Sequence, residues 1–126
     1  MPLRFRVLEP ELAVVRQEEG DARALRDPGG EVWAVLRTPG EMTVVCEASR
    51  VPAGAQVEGG WVALALQGPF PFGLTGVLAS VAVPLAAAGA PIFALSTFDT
   101  DLVLVKRTQL DRALDALREA GHTLVS

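Results

Sequence analysis

The chain has 126 residues, half of them hydrophobic and 21% charged, with a net charge of −4 and a single cysteine. That length suits one compact domain or two small units sharing a core, and that composition excludes a disordered chain. An acidic balance with no basic cluster speaks against nucleic acid or an anionic membrane surface as a partner, and a lone Cys46 excludes an intrachain disulfide and fits a reducing compartment.

In chain order, charges interrupt the first fifteen residues every few positions, so they carry no signal-peptide core. Leu12–Gln17 reads as a strand. A short piece around Asp21–Arg26 follows, then a hairpin over Val32–Val45 that turns at Pro39-Gly40. Residues 47–60 contain Pro52 and three glycines, too many breakers for more than a turn.

The second half is clearer. Trp61–Leu66 is a strand, and Gly68-Pro69-Phe70-Pro71-Phe72-Gly73 is a loop. The spacing of Leu74, Val77, Leu78, Val81 and Leu85 predicts a helix over about 74–88, ended by Gly89. Pro84 sits late in it and removes the donor that the Ser80 carbonyl needs. Ile92–Thr97 and Leu102–Lys106 are strands joined by the turn Phe98–Asp101. Thr108 is placed to cap a second helix whose buried stripe is Leu110, Leu114 and Leu117, and His122–Val125 is a last strand. The uncharged run from Leu74 to Leu95 is long enough to raise a membrane span. Its prolines and glycines split it into a helix and a strand too short to cross, so a soluble, cytoplasmic protein is expected.

Strand, helix, strand, strand, helix, strand is an α+β, ferredoxin-like plan: an antiparallel sheet with both helices on one face. The first half repeats it in worn form. Residues 32–45 match 92–105 at a constant offset of 60, turn on turn, with Glu41 on Asp101. Residues 12–17 match 62–67 at an offset of 50, so the first half lacks about ten residues where a helix belongs. Two tandem units are expected, a degenerate one at 1–60 and a complete one at 61–126.

Gly73-Leu74-Thr75-Gly76-Val77-Leu78-Ala79-Ser80, Ile92-Phe93-Ala94-Leu95-Ser96-Thr97 and Phe98-Asp99-Thr100-Asp101-Leu102-Val103-Leu104-Val105 together resemble the ACT domains. The resemblance is in particular to the tandem ACT-like proteins related to the Castor amino-acid sensors. Aspartate-kinase regulatory domains look similar around 92–105. The resemblance implies a module that binds an amino acid or similar metabolite where ACT units meet and passes the signal to a partner. It implies ligand-facing roles for Thr97, Phe98 and Asp101.

The residues themselves add chemistry. Phe72, Gly73, Leu74, Thr75, Gly76 and Val77 lead into the predicted helix. Free N–H groups there suit a carboxylate, glycine lets a ligand approach the backbone, and Thr75 can cap the helix or donate to the ligand. Asp101, at the start of a strand, suits an ammonium. The bland reading is that the glycines serve the turn and that Asp101 is a solvated acid. Asp99-x-Asp101 is too sparse for a calcium loop, and His122, the only histidine, reads as a surface residue. With no metal cluster, no nucleophile–base pair and no phosphate loop, no cofactor and no enzyme are expected. The helix at 74–88 has no polar face, which implies burial on both sides, against the other unit or a second chain; a homodimer is expected, with a monomer of unusually apolar surface as the alternative. The rival reading is a ligand-free module that docks on a protein partner through that apolar face.

Overall fold

The structure is a computed structural model and describes residues 1–125; Ser126, the end of the predicted second domain, lies outside them. Eight strands and two α-helices follow in the order β1 (Arg4–Val7), β2 (Leu12–Gln17), β3 (Trp33–Thr38), β4 (Glu41–Glu47), β5 (Gln56–Leu66), α1 (Val77–Ala87), β6 (Ile92–Ser96), β7 (Asp101–Lys106), α2 (Leu110–Glu119) and β8 (Thr123–Leu124). They form two compact units that divide the chain differently from 1–60 and 61–126. One is Pro10–Trp61; the other joins Met1–Glu9 to the chain from Val62 on. Strand β5 gives its first six residues to one unit and its last five to the other.

The sequence reading passed over β1. Leu3, Phe5 and Val7 alternate with Arg4 and Arg6, the period of a half-buried strand. The strand pairs antiparallel with β5, Phe5 opposite Leu66 and Val7 opposite Leu64, and parallel with β8, Phe5 opposite Leu124. Strand order in this unit is therefore β6-β7-β5-β1-β8. The expectation of a wholly antiparallel sheet is corrected at the β1–β8 pair. Phe5, Leu64, Leu66, Val103 and Val105 line the face that receives the helices. Val77, Val81 and Leu85 of α1, four residues apart, and Ala113 and Leu117 of α2 complete this core, with Leu110 and Leu114 packed at its margin.

Both helices end in the same device. Gly89 and Gly121 adopt positive φ (74° and 94°), which lets the chain fold back on the last turn. The N–H groups of Gly89 and Ala90 reach the carbonyls of Ala86 and Leu85; those of Gly121 and His122 reach Arg118 and Leu117. At the other ends the sequence reading needs correction. Helix α1 starts at Val77, not Leu74, with Gly76 as cap and no side-chain cap bond; Thr75 does not cap it. Thr108 does not cap α2 either, because a 3-10 turn over Arg107–Gln109 feeds that helix and Gln109 holds the cap position.

His122 is the larger correction. It is 5% exposed, not a surface residue. The turn after α2 points it inward, where Nδ1 accepts the Leu3 N–H (3.1 Å) and Nε2 lies 2.8 Å from the Ser80 carbonyl. That carbonyl is the one Pro84 deprives of its helical donor. The two contacts fix the tautomer: Nδ1 accepts and Nε2 donates.

The Pro10–Trp61 unit has strand order β3-β4-β2-β5. Its core is Ala13, Val15, Met42, Val44 and Cys46, covered by Ala24 of a 3-10 turn over Ala22–Leu25. A second 3-10 turn, Ala48–Arg50, follows β4. These short turns stand where the sequence offers too few residues, or too many breakers, for helices. Strand β5 begins five residues earlier than expected, since residues 56–58 pair with β2 despite the glycines that follow. Burial pushes the Cys46 thiol up, with the Glu47 carboxylate adding to it, so the thiol stays protonated and inert at neutral pH.

Replacing His122 by Ala strands the Leu3 N–H and the Ser80 carbonyl together. A loss of about 2–4 kcal/mol is expected from two such orphaned groups, read as a lower urea midpoint with an unchanged slope.

Candidate functional site

The loop after β5 and the β6–β7 turn are locked to each other by backbone geometry. The Phe70 N–H donates to the Asp99 carbonyl at 2.7 Å, and the Thr100 hydroxyl donates to the Leu66 carbonyl at 2.8 Å. Gly68 lies against the turn so closely that a Cβ there would stand 2.7 Å from the Asp99 carbonyl oxygen and 3.2 Å from the Thr100 Cβ. Within the turn, the Thr97 N–H reaches the Thr100 carbonyl at 2.7 Å, and Thr97 Oγ1 accepts the Thr100 N–H at 3.1 Å. Thr97 supplies the turn's side-chain cap.

This clasp holds an open groove of about 310 Å³ between the start of α1 and the β6–β7 turn. The predicted residues Phe72, Leu74, Gly76, Val77, Thr97, Phe98 and Asp101 all line it. Gly73 and Thr75 do not; both are exposed in the loop beside it. Phe70, Ser96 and Thr100 also belong to the wall, and Gly68 to its support. Sequence reasoning missed these four. The Gly-Pro-Phe-Pro run announces a loop but does not say what it touches. All of the lining falls in the unit built from 1–9 and the chain beyond Val62.

Three features give the groove its chemistry. The first N–H groups of α1, from Val77 to Ala79, precede the first helical bond, Ser80 N–H to the Gly76 carbonyl (3.0 Å), and leave donors at the groove floor. Asp101 Oδ1 accepts the Ser96 hydroxyl at 2.6 Å, which orients the carboxylate and leaves its other oxygen uncommitted to that bond. Phe72 and Phe98 meet edge to face, ring centroids 4.9 Å apart, at the rim. They are 76% and 78% exposed, an unusual place for two large apolar rings. A donor end, an acceptor and an apolar edge are the three parts a zwitterion with a side chain requires. No group of three or more His, Cys, Asp or Glu positioned for a metal occurs among the described residues, and among them no helix is long and apolar enough to cross a membrane.

Comparison with known proteins places this geometry. The ACT domain family model matches residues 56–119. The chain superposes on protein Atu0741 of Agrobacterium tumefaciens with 34% identity and a TM-score of 0.90, covering 99% of this chain and 93% of that one. It is also similar to VC0802 of Vibrio cholerae, described as a protein of unknown function and possible transport protein (21% identity, TM-score 0.76, 94% and 90% covered). The regulatory subunit of aspartate kinase from Thermus thermophilus, in its ligand-free form, shares the fold (14% identity, TM-score 0.64, 92% and 95% covered). None of the curated proteins matches the chain in sequence.

Gly68→Ala should force the loop off the turn, because the atom it would strike is backbone. A cost of about 1–3 kcal/mol is expected, as for other overpacked sites, and crystallography should show the groove widened. Thr100→Val, which removes one hydrogen bond and keeps the shape, should cost about 1 kcal/mol.

Proposed function

The chain belongs to the ACT domain family, and from that premise we propose that it is a regulatory, non-catalytic module that binds a small molecule, with an amino acid as the ligand. The observation that carries this reading is the convergence, on one groove, of the α1 N–H groups, the Asp101 carboxylate and the exposed Phe72–Phe98 pair. The ligand carboxylate sits on the N–H groups of Val77–Ala79, where the helix dipole favours an anion. Its ammonium pairs with Asp101 in a charge-assisted hydrogen bond, and its side chain lies against Phe72 and Phe98. Gly76 leaves the approach to the helix end open, since nothing lies within 4 Å of where a Cβ would stand. Leu74 and Val77 form the apolar wall. Gly73 and Thr75, which do not line the groove, enter this reading only as the loop that closes over a ligand.

Two further parts of the proposal concern architecture. The Pro10–Trp61 unit is read as a reduced copy of the other. Its order β3-β4-β2-β5 corresponds to β6-β7-β5-β8 of the other unit once β1, which there lies between β5 and β8, is set aside, with 3-10 turns where helices would be. The chain is read as a cytoplasmic homodimer joined through α1. No residue of α1 is charged, and Val83 is 66% exposed. That same face supports the second reading, a ligand-free module that docks on a protein partner.

Thermal unfolding in the presence of each of the twenty amino acids separates the two. A ligand at about 100 times its Kd adds roughly 2.7 kcal/mol, a shift of several degrees for a chain of this length. One selective shift, lost in Asp101→Ala and in Asp101→Asn, is the expected result. Asn retains an acceptor for Ser96 and removes only the charge. No shift with any of them, in a folded dimer, overturns the amino-acid reading in favour of docking.

A further inference from the structure

A second cavity lies in the Pro10–Trp61 unit, about 390 Å³ in volume, between the 3-10 turn Ala22–Leu25 and the β3–β4 hairpin. Its floor and sides are Met42, Val35 and Leu25, the last 66% exposed. Two charged residues reach it, Asp21 and Arg37. Their states differ. Asp21 is committed: Oδ1 accepts the N–H and Nε of Arg23, and Oδ2 accepts Arg23 Nη2 at 2.8 Å. Those hydrogen bonds hold its carboxyl below the usual carboxylate range. Arg37 has no carboxylate partner among the described residues, and its guanidinium is the one free charge at the cavity.

The place is informative. At the constant offset of 60, Val35, Arg37 and Met42 correspond to Leu95, Thr97 and Leu102, the hairpin beside the groove in the other unit. There the anion-binding element is the end of an eleven-residue helix. Here only a four-residue 3-10 turn remains, too short to supply an anion-binding terminus. A cation on the hairpin stands where the helix end has been lost.

We propose that this cavity binds a small monocarboxylate with an aliphatic tail: carboxylate on Arg37, tail on Val35, Leu25 and Met42. One guanidinium beside the negative Asp21 suits a single charge better than a dianionic phosphate. Because the Asp21 oxygens are taken by Arg23, an α-ammonium finds no free carboxylate, so the cavity prefers the acid without its amino group. Its selectivity is thus opposite to that proposed for the groove at Asp101.

The test is amide NMR of the full chain titrated with 4-methylpentanoate and, separately, with L-leucine at the same millimolar concentrations. The expected result is that 4-methylpentanoate shifts the Gly20, Ala22 and Arg37 amides and that L-leucine moves them far less. In Arg37→Ala, with an otherwise unchanged spectrum, binding weakens about tenfold or more, the loss of one charge-assisted contact; Arg37→Lys recovers part of it. Asp101→Ala leaves this binding intact, so the groove and the cavity stand or fall separately. No shift at those amides, equal binding of both probes, or binding indifferent to Arg37→Ala overturns the proposal.

Discussion

Pro84 removes a hydrogen bond from the middle of α1, and His122 restores it from outside the helix. Much of the larger unit depends on that exchange. The imidazole ties the Ser80 carbonyl of α1 to the Leu3 N–H just before β1, and it is placed by the glycine turn that ends α2. Three segments far apart in sequence are fixed by one ring in one tautomer. Helix α1 in turn sets the floor of the groove, because its first turn, Val77 to Ala79 just before the Ser80 carbonyl, carries N–H groups not used within the helix. A neutral, fully bonded histidine is doing positional work that a methionine or leucine of similar volume could not, since two polar groups would be left without partners.

The groove shows the same economy. Its polar equipment is mostly backbone, and its side chains are few: one carboxylate aligned by a serine hydroxyl and two phenylalanines at the rim. Rigid support comes from behind, through Gly68 and the Phe70 and Thr100 hydrogen bonds. In the reading proposed above, such a site holds a ligand by position, in keeping with the regulatory, non-catalytic character of ACT domains.

How much of this was legible beforehand varied with the kind of signal. Period and punctuation located β2 to β8, both helices and the short turns of the Pro10–Trp61 unit, but not the 3-10 turn at Arg107–Gln109, because apolar spacing and glycine placement are local properties of the chain. Strand β1 was legible in Leu3, Phe5 and Val7, yet four residues of alternation are easily passed over. Its partners lie some sixty and one hundred and twenty positions away, and no local pattern announces a parallel neighbour. His122 was misjudged for a related reason. A lone histidine after a helix is ordinarily exposed; what buries it is an orphaned carbonyl forty-two positions earlier. At the site, residue type marked Phe72, Val77, Phe98 and Asp101, whose chemistry is in their side chains. Gly68 and Phe70 act through the backbone, and Thr75 looked like a cap only because the helix was expected to start three residues early.

The insertion of β1 between β5 and β8 has a consequence for how the chain is made. The first nine residues belong to a sheet whose other strands begin at Val62, with the whole Pro10–Trp61 unit lying between them in sequence. During synthesis β1 emerges first and must wait, unpaired, while the smaller unit closes. Only when β5 and then β8 arrive can it be seated, against one antiparallel and one parallel neighbour. Loop-closure entropy over such separations is paid late, and slowly. A polypeptide cut at residue 60 would leave β5 and β8 facing an empty slot, two bare strand edges of the kind that invite other chains to fill them. The larger unit is continuous in space but not in sequence, and it is complete only when the last strand returns to the first.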